Sequence, residues 1–129
     1  MDWPQTSLTS LTLQGLTYFP TIPARTTLLD LSHNNLTSFA SLSPYTQNYQ
    51  HVSSLFLSHN QLSTIHTKLV RLKLDKSFRA DHNLISDLPF EVSQYLQKYL
   101  KNEVSLGHNP WTCYCNAEIT KLVSHNQTE

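Results

Sequence analysis

The chain has 129 residues, of which 39% are hydrophobic and 14% charged, with nine Lys and Arg balanced by nine Asp and Glu. That length suits one domain, and a net charge of zero offers no basic field to hold nucleic acid or an anionic membrane surface. The opening MDWPQTSLTSLTL has neither the basic nor the apolar region of a signal peptide, and no stretch approaches the roughly 18 apolar residues of a membrane span.

Leu8, Leu11 and Leu13 alternate with Thr and Ser, which predicts an edge strand with these leucines on its apolar side. Leu16, Phe19 and Ile22 continue that side, and Pro20 and Pro23 exclude a helix. Residues 1–24 are read as a first coil or cap without cysteines.

From residue 25 a motif recurs. TLLDLSHNNL places Leu29, Leu31, Asn34 and Leu36 in one register, and VSSLFLSHNQL repeats it with Leu55, Leu57, Asn60 and Leu62. SFRADHNLI gives Phe78, Ala80, Asn83 and Ile85, and EVSLGHNPW gives Val104, Leu106, Asn109 and Trp111. The asparagines Asn34, Asn60, Asn83 and Asn109 are 26, 23 and 26 residues apart, within the spacing of leucine-rich repeats. The pattern predicts an α/β leucine-rich-repeat solenoid of about five coils: parallel strands on a concave face, helical and irregular segments on the convex return. Residues two apart on a strand share a face, so Leu55 and Leu57 turn into the coil. Each asparagine amide is placed to bond backbone groups that the bend after the strand leaves unpaired, building a ladder.

Between the motifs, Pro44 argues against a long helix in 37–50. The alternation from Leu69 to Leu74 could be taken for a strand, but Asn83 and Ile85 fix the register and put the strand at 78–80. In FEVSQYLQKYLK, residues 90–101, the apolar side chains fall at helical spacing, which predicts an amphipathic helix with Pro89 in its first turn. The repeats run over residues 25–110, and 111–129 form a terminal segment holding the only two cysteines. Cys113 and Cys115 are too close for an unstrained mutual bridge, so each pairs outside this chain or stays a thiol.

Asn109-Pro110-Trp111 followed by Cys113 and Cys115 resembles the opening of the C-terminal cysteine-rich cap of extracellular leucine-rich repeats. With LTYFPTIPARTTLLDLSHNNLTSF, YQHVSSLFLSHNQLSTI and SFRADHNLISDL, the chain resembles the membrane-proximal repeat block of insect Toll receptors over about residues 8–125. The resemblance implies a single-pass receptor at the cell surface, active in innate immune or developmental signalling. It implies a cystine-knot cytokine of the Spätzle type as protein ligand, and a homodimeric or heterodimeric signalling state. It also implies bridges from Cys113 and Cys115 to cysteines that this sequence lacks, making the chain a fragment of such a receptor, with residues 111–129 a truncated cap.

Four histidines, His33, His59, His82 and His108, each precede a ladder asparagine. Neighbouring strands are about 4.8 Å apart, so the imidazoles should form a column. Such a column can sense pH, several rings charging together below about 6.5; alternatively the slot is solvent-facing and accepts Ser, Gly or His. Cys113, Cys115, His108 and His125 include zinc-type ligands, but their spacing matches no standard finger; no metal or other cofactor is expected. Asn35 and Asn126 open N-x-T glycosylation sequons. On the outward side of the strands, Leu28, Asp30, Phe56 and Arg79 are the candidate protein contacts, with Phe56 and Leu28 expected as a small apolar patch on adjacent strands. No acid/base pair, phosphate loop or nucleophile constellation stands at interpretable spacing, so a binding module is expected, not an enzyme. An adhesion or matrix repeat protein and an intracellular repeat scaffold are the competing readings; free thiols would be normal only in the last.

Overall fold

The computed structural model describes residues 8–100 and 103–112. Five short strands form one open parallel sheet: β1 (Leu8–Ser10), β2 (Leu28–Asp30), β3 (Ser54–Phe56), β4 (Ser77–Arg79) and β5 (Val104–Ser105). They lie in the sheet in chain order. Each of the first four strands is followed by a return segment that leads to the next one, so the chain advances as a stack of coils. The return before β4 contains a 3₁₀ turn over Thr67–Leu72, and that before β5 contains the helix α1 (Phe90–Tyr99). The architecture is therefore α/β and solenoid-like.

The repeat spacing explains the packing. Register places Leu29, Leu55, Phe78 and Val104 side by side on consecutive strands. All four are buried, as are Leu31, Leu57, Ala80 and Leu106 two positions on. Leu36, Leu62 and Ile85, two positions after their ladder asparagines, are fully enclosed. Each coil thus supplies equivalent apolar side chains to a core that runs the length of the stack; none could bury its flat faces alone.

The return segments are less regular, and aromatic side chains pack among them. Phe19 lies 5.2 Å from Phe39 and 6.4 Å from Tyr49, centroid to centroid. The Tyr49 hydroxyl donates to the Pro20 carbonyl at 2.8 Å, and burial raises its pKa far above the ordinary phenol range. Tyr95 of α1 reaches back to Leu74, whose N–H donates to the phenol oxygen at 2.5 Å. Its pKa is pushed up to about 12, chiefly by burial.

Four expectations need correction. The fourth strand is 77–79, not 78–80, because Ala80 already belongs to the bend. Pro89 is the N-cap of α1 and does not lie within its first turn; its lack of an N–H suits either place. The helix ends at Tyr99, with Leu100 as its C-cap. In the first coil, Thr9 pairs with Leu29 in the core register, while Leu8 and Leu13 are 62% and 77% exposed. The Thr9 hydroxyl is satisfied instead by Thr26 Oγ1 at 2.8 Å.

Candidate functional site

Two surfaces are built by the coil repeat: the bend that follows each strand, and the outward face of the strands. The bend is organised by the asparagines. Asn60 Nδ2 donates to the carbonyls of Leu57 in its own coil and Leu31 in the preceding one, both at 3.1 Å. Its Oδ1 accepts the Leu36 N–H at 2.9 Å. Asn83 makes the same bonds to Ala80, Leu57 and Leu62. Asn109 makes them to Leu106, Ala80 and Ile85, and Asn34 to Leu31, Leu11 and Leu16. Each amide therefore ties two coils together through backbone groups that no strand ladder could satisfy.

In the first coil the equivalent of a ladder asparagine is Gln14. Its N–H donates to Asn34 Oδ1 at 3.0 Å, and its own amide reaches the Thr12 carbonyl. A one-letter search for asparagine misses it; the signal that could have found it is the Leu11 to Leu16 spacing, which matches Leu31 to Leu36.

The histidines occupy the tightest point of the bend. His33, His59, His82 and His108 all have left-handed backbone, with φ between 56° and 60°. Histidine enters this region more readily than most residues, as do Asn and Asp. The slot is thus selected by backbone conformation as well as by solvent. The equivalent residue in the first coil is Leu13, at φ 59°, joined to the column by its N–H to the His33 carbonyl at 3.0 Å. Equal backbone geometry sends each imidazole the same way. The rings of His33 and His59 stack at 4.4 Å, those of His59 and His82 at 4.2 Å, and those of His82 and His108 at 4.2 Å, all within 10° of parallel.

Asp81 stands beside this column. Its Oδ1 accepts from Ser58 Oγ at 2.5 Å and Ser105 Oγ at 3.1 Å. Its Oδ2 lies 3.9 Å from His82 Nε2. The His59 pKa is lowered by desolvation first, then by the imidazoles of His82 and His33, with Asp81 opposing and His108 adding a smaller push downward. The folded chain therefore binds less proton at His59 than the unfolded chain does. That contribution to stability is complete above the unfolded value of about 6.5 and is lost as pH falls through it toward the lowered folded value. In buffer containing EDTA, the melting temperature should drop between pH 7.5 and 5.5, and His59→Asn should flatten the drop. An unaltered protein with a flat profile would leave the histidines as a tolerant solvent-facing row.

On the strand face, Leu28, Asp30 and Phe56 are half-buried and Arg79 is exposed. The expected pairing of Phe56 with Leu28 is corrected by register: Phe56 lies between Asp30 and Arg79, whereas Leu28 lies between Leu8 and Ser54. The Arg79 guanidinium sits over the Phe56 ring, 4.2 Å from its centroid. Asp30 is turned toward its own bend, where Oδ1 accepts the Ser32 N–H at 3.0 Å. Asn35 is exposed immediately after the ladder position. Cys113, Cys115, His125 and Asn126 lie outside the described residues.

No family model matches the chain. The search of curated proteins likewise found no match.

Proposed function

We propose that the chain is a leucine-rich-repeat module for protein recognition, belonging to the ectodomain of a Toll-type receptor. The observation that carries the recognition reading is Arg79 stacked on Phe56 in the middle of the strand face. An aromatic ring and a guanidinium held on a rigid sheet give a partner broad contact area at small entropic cost, and such residues dominate binding hot spots. The stacked ring also orients the guanidinium, leaving its N–H groups available for a carboxylate on the partner. Repeat spacing and the asparagine ladder support the leucine-rich-repeat class. The receptor assignment draws on the sequence around Cys113 and Cys115, and the exposed Asn35 sequon suits passage through the secretory pathway.

Under this reading the ligand is a cystine-knot cytokine, and pairing of two receptor chains transmits its arrival. Phe56→Ala and Arg79→Ala should each weaken capture of such a cytokine, in a receptor ectodomain carrying this chain, by about 2 kcal/mol, or some thirtyfold. Biolayer interferometry would read the loss, with Leu84→Ala, a change at an exposed residue away from the strands, as the control. Unchanged affinity and unchanged receptor pairing in both variants would remove this face from the function.

A further inference from the structure

We propose that His59, Asp81 and His82 form a binding site for a divalent first-row transition ion of the zinc class, bridging two consecutive coils. Their ligand atoms all lie within 4.8 Å of one another. A tetrahedral zinc site with metal–nitrogen bonds of about 2.0–2.1 Å holds its ligands about 3.3 Å apart. The two exposed imidazoles can close the difference by side-chain rotation, the backbone staying in place.

Two features favour a cation here over a chance cluster. The carboxylate is held before any ion arrives: two serine hydroxyls, from Ser58 and Ser105, donate to Oδ1 and leave Oδ2 toward His82. Oriented carboxylates of this kind are what outer-shell hydrogen bonds provide at metal centres. The backbone beneath both histidines is fixed at φ 58°, and each is followed by a buried ladder asparagine. The imidazoles of His59 and His82 stack with centroids 4.2 Å apart, so turning the rings out of the stack is what aims their in-plane nitrogen lone pairs at one ion. Neutral imidazole is the form that binds metal, and the lowered pKa of His59 keeps it in that form at neutral pH.

Two imidazoles and one carboxylate suit zinc, copper or nickel better than calcium or magnesium, which prefer all-oxygen shells. With three protein ligands the fourth position stays open to water or to a donor from a partner. This assignment does not depend on the receptor reading.

The test is titration of the full chain with zinc chloride at pH 7.5, followed by calorimetry. Cys113 and Cys115 are alkylated beforehand, so that thiols do not compete. One ion per chain should bind, and EDTA should reverse it. His59→Asn and His82→Asn keep a residue that accepts left-handed backbone, and Asp81→Asn keeps an acceptor for the two serines. Each should lower zinc affinity at least tenfold, while His108→Asn should change it less than twofold. Histidine ring NMR on the unsubstituted chain provides a readout independent of the variants: zinc should shift the nitrogens of His59 and His82 first. No binding, affinity indifferent to these three residues, an equal loss in His108→Asn, or shifts centred elsewhere would each overturn the assignment.

Discussion

Replacing Asn60 with alanine should destabilise the protein by about 3 kcal/mol, a large share of the roughly 5–15 kcal/mol that holds a domain folded. The figure follows from what each partner loses. The Leu36 N–H has Asn60 Oδ1 as its acceptor, so the truncation leaves a buried donor unpaired, at about 1–3 kcal/mol. The carbonyls of Leu31 and Leu57 lose one donor each but keep another, from Asn34 and Asn83 respectively, so their cost is smaller. Asn60→Asp separates the two halves of the amide. It retains an acceptor for Leu36 but turns a carboxylate toward two carbonyl oxygens, and at pH 7 it should be at least as damaging as alanine. Urea unfolding followed by circular dichroism gives both numbers. A loss below about 1 kcal/mol for Asn60→Ala would mean that the bend is held by its apolar neighbours and the amide is incidental.

Phe78→Ala should cost about 3–5 kcal/mol, the usual range for removing a fully buried phenylalanine. Phe78 is the central residue of β4, between Leu55 and Val104 in register, and has no exposed surface. The substitution also tests the placement of β4 at Ser77–Arg79. If Leu69 to Leu74 formed the strand, Phe78 would lie in a connecting loop, and its loss would be mild. The cavity left at the position of Phe78 in the sheet would instead open between two coils, so the slope of the urea transition should stay constant while its midpoint falls.

Most of the architecture was readable because it rests on repetition. Leucines and asparagines at near-constant spacing specify the strand, the bend and the inward face together, and four copies carry the same message. What could not be read depends on single substitutions inside that scheme. Gln14 and Leu13 take the places of asparagine and histidine in the first coil, so matching by residue type put the wrong leucines inside. Leu28 does lie on a strand, yet it pairs with Ser54 and not with Phe56, because strands of three residues leave two outward positions and only register says which ones meet. The stacking of Arg79 on Phe56 needs that register first. The role of Asp81 was hidden for another reason: its partners Ser58 and Ser105 are 23 and 24 residues away, and a hydroxyl–carboxylate pair has no sequence signature. The histidine column was anticipated from position, whereas its left-handed backbone was not, since residue type only biases φ.

The strand order also governs how a disturbance travels. Each strand pairs only with those before and after it in the chain, and the asparagine bonds likewise span one coil step. Interactions of this range make the molecule close to a one-dimensional lattice. A defect introduced at one coil is felt by its two neighbours and fades beyond them. A pulling force applied at the ends would meet no long-range clasp among the described residues; the stack would peel from an end, coil by coil.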